Sequence, residues 1–144
     1  MAQELIQIFV VHVYTQGAMA SQFMVDCTSW GANLVYLGET SPFVVRIGDA
    51  QTGVAIGYGA CIPSPNLLLT IKYLGTGTSR PCSYCQVVPH PAAIPAEVLV
   101  VDCADPPNLL AATGGDVVVN PDPTCYCDIP VEETNWGCVK ALYQ

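Results

Sequence analysis

The stretch from Gln51 to Val88, QTGVAIGYGACIPSPNLLLTIKYLGTGTSRPCSYCQVV, decides the fold class of this chain. It contains three runs with the composition and length of β-strands, and Pro/Gly turns separate these runs. One cysteine stands at the first turn, and two more open the third run. The stretch therefore predicts β-strands that are joined at their corners by disulfides.

The same pattern continues outward in both directions. The run from Leu5 to Tyr14 is apolar on both faces, which is typical of a central strand or of a strand buried against a partner. The same criteria predict further strands at residues 20–27, 33–37, 43–47, 52–58, 67–74, 83–88, 97–103 and 116–120. Short strands separated by Gly/Pro turns predict an all-β sandwich, for which a jelly roll is one possible topology.

We expect one disulfide-stapled domain over residues 1–130 and a C-terminal tail over residues 131–144. The first 14 residues form an apolar strand in this interpretation. They lack the basic start of a signal peptide, so we assign them to the mature domain. The tail is extended or contains one short helical turn, on which four apolar residues share a face. These four residues are Trp136, Val139, Leu142 and Tyr143.

Composition excludes some classes of partner. The chain has 4 Lys+Arg against 12 Asp+Glu and a formal net charge of −8, so it cannot neutralise a run of phosphates in a nucleic acid. No apolar run approaches the roughly 18–20 residues that a membrane-spanning helix requires. Since 51% of the residues are hydrophobic and only 11% are charged, we expect surfaces that neighbouring copies bury.

The eight cysteines indicate an oxidising compartment, and we therefore expect an extracellular or cell-surface protein. All eight are predicted to form disulfides, in a pairing that the sequence does not select. They are Cys27, Cys61, Cys82, Cys85, Cys103, Cys125, Cys127 and Cys138.

Three kinds of chemistry were weighed against this structural interpretation. The C-x-x-C at Cys82 and Cys85 is followed by a strand pattern, whereas a redox site needs its first cysteine at a helix N-terminus. Zinc is an alternative that uses Cys82, Cys85, Cys103 and the C-x-C at 125–127. Calcium is another, and its candidate ligands are Asp102, Asp105, Asp116, Asp122 and Asp128. No nucleophile motif such as G-x-S-x-G occurs, so we predict a protein that is not an enzyme and that has no cofactor or metal.

Three stretches carry a family resemblance: ASQFMV at 20–25, GDAQTGVAI at 48–56 and VEETNWGCVKALY at 131–143. With them the chain resembles a group of uncharacterised secreted bacterial proteins. In that group a cysteine-bearing β-domain ends in a tail of the form E-x-T-x-W-G-x-[IV]-K-x-L-Y. The resemblance implies an Ig-like or cohesin-like sandwich with an extracellular, non-catalytic role. Cys138 departs from the tail pattern, which puts a free tail in doubt.

The chain is also similar in kind to filament subunits that polymerise by exchanging strands. In such subunits a terminal segment completes the sheet of a neighbour through main-chain hydrogen bonds. The run from Leu5 to Tyr14 is the first candidate for a donated segment, and the alternative is that it pairs within its own domain. The tail from Trp136 to Tyr143 is the second candidate.

These observations predict a structural subunit of an extracellular filament or similar homopolymer, in which apolar terminal segments dock on neighbouring copies. The predicted interface residues are Leu5, Ile6, Ile8, Phe9, Val10, Val11, Val13, Tyr14, Trp136, Val139, Leu142 and Tyr143. The alternative is an extracellular carbohydrate- or protein-binding module. Such a module would expose aromatic residues on one sheet face, and the candidates are Trp30, Tyr36, Tyr58 and Tyr73.

Overall fold

The structure, a computed structural model, describes residues 3–14, 16–28, 31–120 and 125. These residues form ten β-strands and no helix, so the all-β prediction is confirmed. The strands are β1 (Gln3–His12), β2 (Ala18–Asp26), β3 (Leu34–Thr40), β4 (Val45–Asp49), β5 (Gly53–Ile62), β6 (Asn66–Thr76), β7 (Tyr84–Val88), β8 (Val98–Asp102), β9 (Leu109–Ala112) and β10 (Asp116–Val118).

The strands form two antiparallel sheets that share one hydrophobic core. The smaller sheet has three strands in the order β1-β6-β3, and the larger has seven. In the larger sheet β2 is central, because β5 pairs with residues 18–23 along one side of it. On the other side β8 pairs with residues 18–22 and β7 with residues 24–26, one after the other. The outermost strands on that side are β9, next to β8, and β10, next to β7.

The core lies between the sheets and is built from alternating positions. Phe23 and Val25 of β2 point inward and are buried. On β6 the inner face carries Leu69, Ile71 and Tyr73. Leu67 is exposed, because a shift of register opposite β1 interrupts the alternation. Each fully buried aliphatic or aromatic side chain contributes about 1.5–3 kcal/mol.

Strand β1 is the first correction. Among the described residues it pairs only with β6, so it is an edge strand and the expectation of a central strand is wrong. Its two apolar faces have different surroundings. Ile6, Ile8 and Val10 pack on the core, whereas Leu5 and Phe9 are exposed on the outer side of the sheet.

Strand β9 is a second difference, since the sequence analysis predicts no strand there. Its residues, Leu109–Ala112, are two leucines and two alanines, and none of them is β-branched. They form a strand because they pair with all of the first four residues of β8. Tertiary pairing here overrides a weak local preference.

Three disulfides lie in or next to the larger sheet. They are Cys27–Cys85, Cys61–Cys103 and Cys82–Cys125. Each closes a loop of more than 40 residues, which corresponds to roughly 4 kcal/mol of unfolded-state entropy per bond. The disulfides are typical of an oxidising compartment. The described zinc candidates, Cys82, Cys85, Cys103 and Cys125, are all disulfide-bonded, so their thiols cannot bind zinc. Cys127 and Cys138 lie outside the described residues.

The Cys61–Cys103 disulfide bridges the two strands that flank β2, just where the chain enters that strand. Gly17 lies directly beneath it, and a Cβ atom at this position would collide with the sulfur of Cys61 and stand 2.8 Å from that of Cys103. The Cys61–Cys103 disulfide therefore requires glycine at position 17.

Candidate functional site

The main surface feature is an apolar groove beside β1. Its volume is about 610 Å³, and it lies between β1 and the strands β7, β8, β9 and β10 of the larger sheet. The groove exists because a sheet of three strands cannot cover the inner face of one with seven. Its walls include Ile8, Val10, Val87, Leu110 and Val117. We call this feature the β1 groove.

The β1 groove borders a free strand edge. Residues Gln7 to His12 of β1 line it together with Val13 and Tyr14, which follow the strand, and no described strand pairs with that side of β1. An unpaired edge presents a row of backbone N–H and C=O groups that can pair with another strand. An extended segment lying in the groove would thus gain main-chain hydrogen bonds on one side and apolar contacts beneath.

One end of the groove holds a buried aromatic and imidazole cluster. The Tyr58 hydroxyl and Nδ1 of His12 are 2.9 Å apart, and the Tyr14 hydroxyl donates to the carbonyl oxygen of Ile62 at 2.7 Å. Burial lowers the pKa of His12 from 6.5 to about 4, because a charged imidazolium would lose its hydration there. Burial also raises the pKa of Tyr58. At neutral pH the cluster is therefore uncharged, and Nδ1 of His12 can accept a hydrogen bond from the Tyr58 hydroxyl.

The opposite end of the groove is close to the disulfide-bonded part of β7. Cys85, paired with Cys27, is among the lining residues, and so is the exposed Asp116 at the start of β10. Cys82 lies three residues before Cys85 and holds Cys125. Cys125, the last residue that the structure describes, therefore lies near this side of the groove.

A second apolar surface lies on the outer face of the larger sheet. Val45, Ile47 and Leu109 are exposed there around a shallow depression, which the half-buried Val101 and Ala55 also line. The neighbouring residues Leu109 and Leu110 of β9 thus face in opposite directions. Leu109 belongs to the outer face, and Leu110 belongs to the β1 groove.

The residues predicted to form the assembly interface fall into three groups. Along residues 5–14 the inner side carries Ile6, Ile8, Val10 and Tyr14, and the outer side carries Leu5, Phe9, Val11 and Val13. Val10 is almost fully buried, whereas Leu5 and Phe9 are more than half exposed. Trp136, Val139, Leu142 and Tyr143 lie outside the described residues.

The aromatic residues nominated for a carbohydrate platform are not exposed together. Tyr58 and Tyr73 are 6% and 4% exposed and belong to the core, so their expected exposure is wrong. The reason is that their strands alternate toward the other sheet at these positions. The Tyr36 hydroxyl donates to Glu39 at 2.7 Å and is half-buried. Trp30 lies outside the described residues.

Asp102, one of the aspartates predicted as calcium ligands, has a structural role in its loop. Asp102 accepts hydrogen bonds from the amide groups of Asn108, backbone and side chain, and from the backbone N–H of Ala104. These donors, the Asn108 backbone first, lower the pKa of Asp102. Within the described part of the chain no group of three or more His, Cys, Asp or Glu residues is arranged to hold a metal ion. Asp122 and Asp128 lie outside that part.

Comparisons with known proteins find no relative. No family matches the chain, and no curated protein or solved structure is similar to it. The described residues also contain no helix that could cross a membrane. The function must therefore be inferred from the β1 groove and from the surfaces around it.

The sequence analysis missed the far wall of this groove. Leu110 and Val117 were not among the candidate residues, although both line it. The available signal was the pair Leu109-Leu110 after the Pro106-Pro107 break, since two adjacent leucines in a strand face opposite sides. Assigning them required a strand prediction that their composition does not favour.

Proposed function

We propose that this protein is a structural subunit of an extracellular filament or similar homopolymer, which grows by docking an extended segment of one copy on another. The observation that carries the proposal is an edge of β1 that no described strand pairs with, next to an apolar groove. Strand addition at such an edge combines main-chain hydrogen bonding with side-chain contacts at alternate positions.

The composition of the exposed surface supports the same function. Large apolar side chains are exposed on the outer sides of both sheets, and Phe9, Leu37 and Ile47 are examples at 54%, 52% and 73%. Surfaces of this kind mark contacts with other molecules when they are contiguous. Disulfides stabilise each subunit outside the cell, where a filament has to persist.

In this scheme β1 serves as the acceptor strand. The strand pairs with β6 from Gln3 to His12, so it is part of the subunit and offers its free edge as the acceptor. Deleting residues 1–14 would remove a strand of the core and unfold the domain. A test of assembly therefore has to change the groove and leave β1 in place.

Leu110→Asp and Leu109→Asp form a matched pair for this test. Leu110 is 47% exposed in the groove and Leu109 is 58% exposed on the outer face, so neither substitution empties the core. We expect the wild-type chain and Leu109→Asp to form regular fibres in negative-stain electron microscopy and to sediment as large species. Leu110→Asp should remain monomeric, because an apolar segment cannot dock beside a buried carboxylate.

Two results would contradict the proposal. The first is a wild-type protein that stays monomeric at high concentration. The second is a Leu110→Asp variant that forms the same fibres as the wild type. If instead the groove binds a strand from an unrelated protein while the chain itself stays monomeric, the protein is a binding module.

A further inference from the structure

The β1 groove is long enough for one short strand. Residues 7–14 line it on the β1 side, so an added strand that pairs with them has about eight residues or fewer. The opposite wall includes Val87, Leu110 and Val117, so the inward side chains of this strand have to be apolar. Since every second side chain of a strand points to the same face, the occupant needs a two-residue apolar alternation.

The pairing of β6 shows which backbone groups β1 offers to such a strand. Thr76 faces outward on β6, and its N–H donates to the carbonyl oxygen of Asn33, on the β3 side, at 3.0 Å. Because backbone groups point alternately to the two sides of a strand, the inward residues of β6 bond to β1. Ile8 is opposite one of these inward residues and therefore bonds to β6. Its outward neighbours Gln7 and Phe9 thus direct their N–H and C=O groups to the groove side of β1.

The sequence directly after Cys125 has the required alternation. Cys127, Ile129 and Val131 are apolar at every second position. In an extended strand these three side chains share one face. The carboxylate of Asp128 then lies on the other face, away from the apolar walls of the groove.

Cys125 determines where this segment begins and in which direction it runs. It is bonded to Cys82, six residues after Thr76, and Thr76 is opposite the first residue of β1. Asn33 holds the connecting loop at this end of β1, because it accepts from the N–H of Thr76 and donates from its own N–H to Ser79 at 2.9 Å. The segment begins two residues after Cys125, a reach of about 7 Å. It therefore starts at the beginning of β1 in its own chain and runs parallel to β1.

Pro130 is compatible with this direction and not with the opposite one. In an antiparallel pair, opposite residues bond to each other, so the outward Gln7 and Phe9 would bond to outward residues of the segment. Pro130 is one of these and has no N–H, so it would interrupt the ladder. In a parallel pair, each residue bonds to the two neighbours of the residue opposite it. Gln7 and Phe9 then bond to the inward Ile129 and Val131, and Pro130 faces solvent.

We infer that residues 127–131 fill the β1 groove of their own chain as a strand parallel to β1, with Cys127, Ile129 and Val131 turned inward. This strand extends the smaller sheet and covers Leu110 and Val117 of the larger one. It also regulates the site of the proposed function, because a segment of another copy has to displace it before docking. Only this regulatory part rests on the proposed function.

Amide hydrogen exchange of the full chain, followed by NMR at a concentration below that of assembly, tests the strand. We expect the amides of Gln7 and Phe9 to be protected in the wild type. They should exchange at least about tenfold faster in Ile129→Asp, which places a charge against the apolar wall. The amides of Ile6 and Ile8 point to β6, so they should keep their rates in the variant and show that the domain stays folded.

Pro130→Asp is the matched control. It introduces the same carboxylate at the neighbouring position, which faces solvent, so Gln7 and Phe9 should exchange as they do in the wild type. Photo-crosslinking identifies the chain to which the groove belongs. A photoreactive phenylalanine analogue replaces Ile129 in an equal mixture of chains labelled with ¹⁴N and ¹⁵N. We expect crosslinks to β9 or β10 within a chain of the same isotope, as mapped by mass spectrometry.

Three results would overturn the strand. The first is fast exchange of the Gln7 and Phe9 amides in the wild type already. The second is an equal loss of protection in Ile129→Asp and Pro130→Asp, which would remove the assignment of the two faces. The third is crosslinking only between chains of different isotope, which would make another copy the occupant.

Fibre formation tests the regulatory part separately. Ile129→Asp should form fibres at a concentration about tenfold lower than the wild type, because its groove is already open. An unchanged concentration, or a loss of fibres in this variant, would overturn the displacement. If no chain forms fibres while the exchange pattern holds, the proposed function fails and the strand from the same chain stands.

Discussion

The two edge strands of the three-stranded sheet, β1 and β3, end that sheet in different ways. Strand β3 is short, its register shifts between Tyr36 and Gly38, and the buried carboxylate of Glu39 fixes it to the larger sheet. Strand β1 has ten residues, carries no charge from Leu5 to Val11 and runs beside an apolar groove. Irregular or charged edges resist the addition of a strand, and long apolar edges accept it.

Glu39 shows how the β3 edge is held. Its side chain is 3% exposed and accepts hydrogen bonds from Arg46, from the Tyr36 hydroxyl and from the backbone N–H of Ala50, at 2.7–2.8 Å. Ala50 also accepts a hydrogen bond from the backbone N–H of Val25. One carboxylate therefore connects β3 to β4 and to the turn before β5. At β1 the link to the larger sheet is an uncharged one at its end, where His12 is hydrogen-bonded to Tyr58 of β5.

The largest expected effect is that of Glu39→Ala. Removing one partner of a buried ion pair leaves the other groups uncompensated, so we expect a loss of about 3 kcal/mol in the free energy of unfolding. The control is Glu4→Ala, at the exposed start of β1, which should change stability by less than about 0.5 kcal/mol. Urea denaturation at pH 7 measures both. Equal changes in the two variants would remove the distinction between the edges.

The second prediction concerns pH and the buried end of β1. Because the pKa of His12 is about 4 in the folded state and near 6.5 when exposed, the unfolded state binds the proton more readily. Stability should therefore fall as the pH decreases from 6.5 to 4, by about 1–2 kcal/mol after allowance for partial exposure. His12→Gln should flatten this part of the profile, as measured by denaturation across that range. An unchanged slope would show that His12 is not desolvated.

The third prediction addresses the irregularity of β3. Gly38 has φ +149°, a conformation that other residues rarely adopt, and a Cβ atom there would meet nothing within 4 Å. Gly38→Ala should thus cost about 1 kcal/mol through backbone strain alone. Thermal unfolding followed by circular dichroism would detect this loss. A variant as stable as the wild type would mean that the β3 edge adopts a regular strand without penalty.

The smallest expected effects are those of the groove variants on stability. Leu109 and Leu110 are about half exposed, so Leu109→Asp and Leu110→Asp should each lower the free energy of unfolding by less than about 1 kcal/mol. Urea denaturation of monomeric samples checks this. A much larger loss in Leu110→Asp alone would mean that its effect on assembly reflects unfolding.

Much of the fold could be predicted from local patterns. The alternation along β2 places Phe23 and Val25 on one face, and the break at Pro63-Ser64-Pro65 divides β5 from β6. Gly48 and Asp49, in contrast, belong to β4, and the chain turns at residues 50–52. The β9 strand was missed because leucine and alanine carry no preference for extended structure. The position of β1 stayed open between a central strand and a strand buried against a partner, because an apolar sequence looks the same at an edge as at the centre.

The candidate site could be predicted only in part. The sequence pointed to the terminal segments, and β1 does border the groove. The opposite wall could not be found, because Val87, Leu110 and Val117 come from strands that meet only in the folded sheet. Likewise, burial of Tyr58 and Tyr73 depends on which face of each strand meets the smaller sheet.

The sequence by itself determined the β class of this protein, its strand faces and the oxidising compartment that its cysteines require. These properties follow from neighbouring residues, through two-residue alternation, turn chemistry and composition. Only the tertiary structure decided which cysteines pair, that β1 is an edge and that a groove opens beside it. These features depend on which distant strands become neighbours, and the groove exists because three strands are packed against seven.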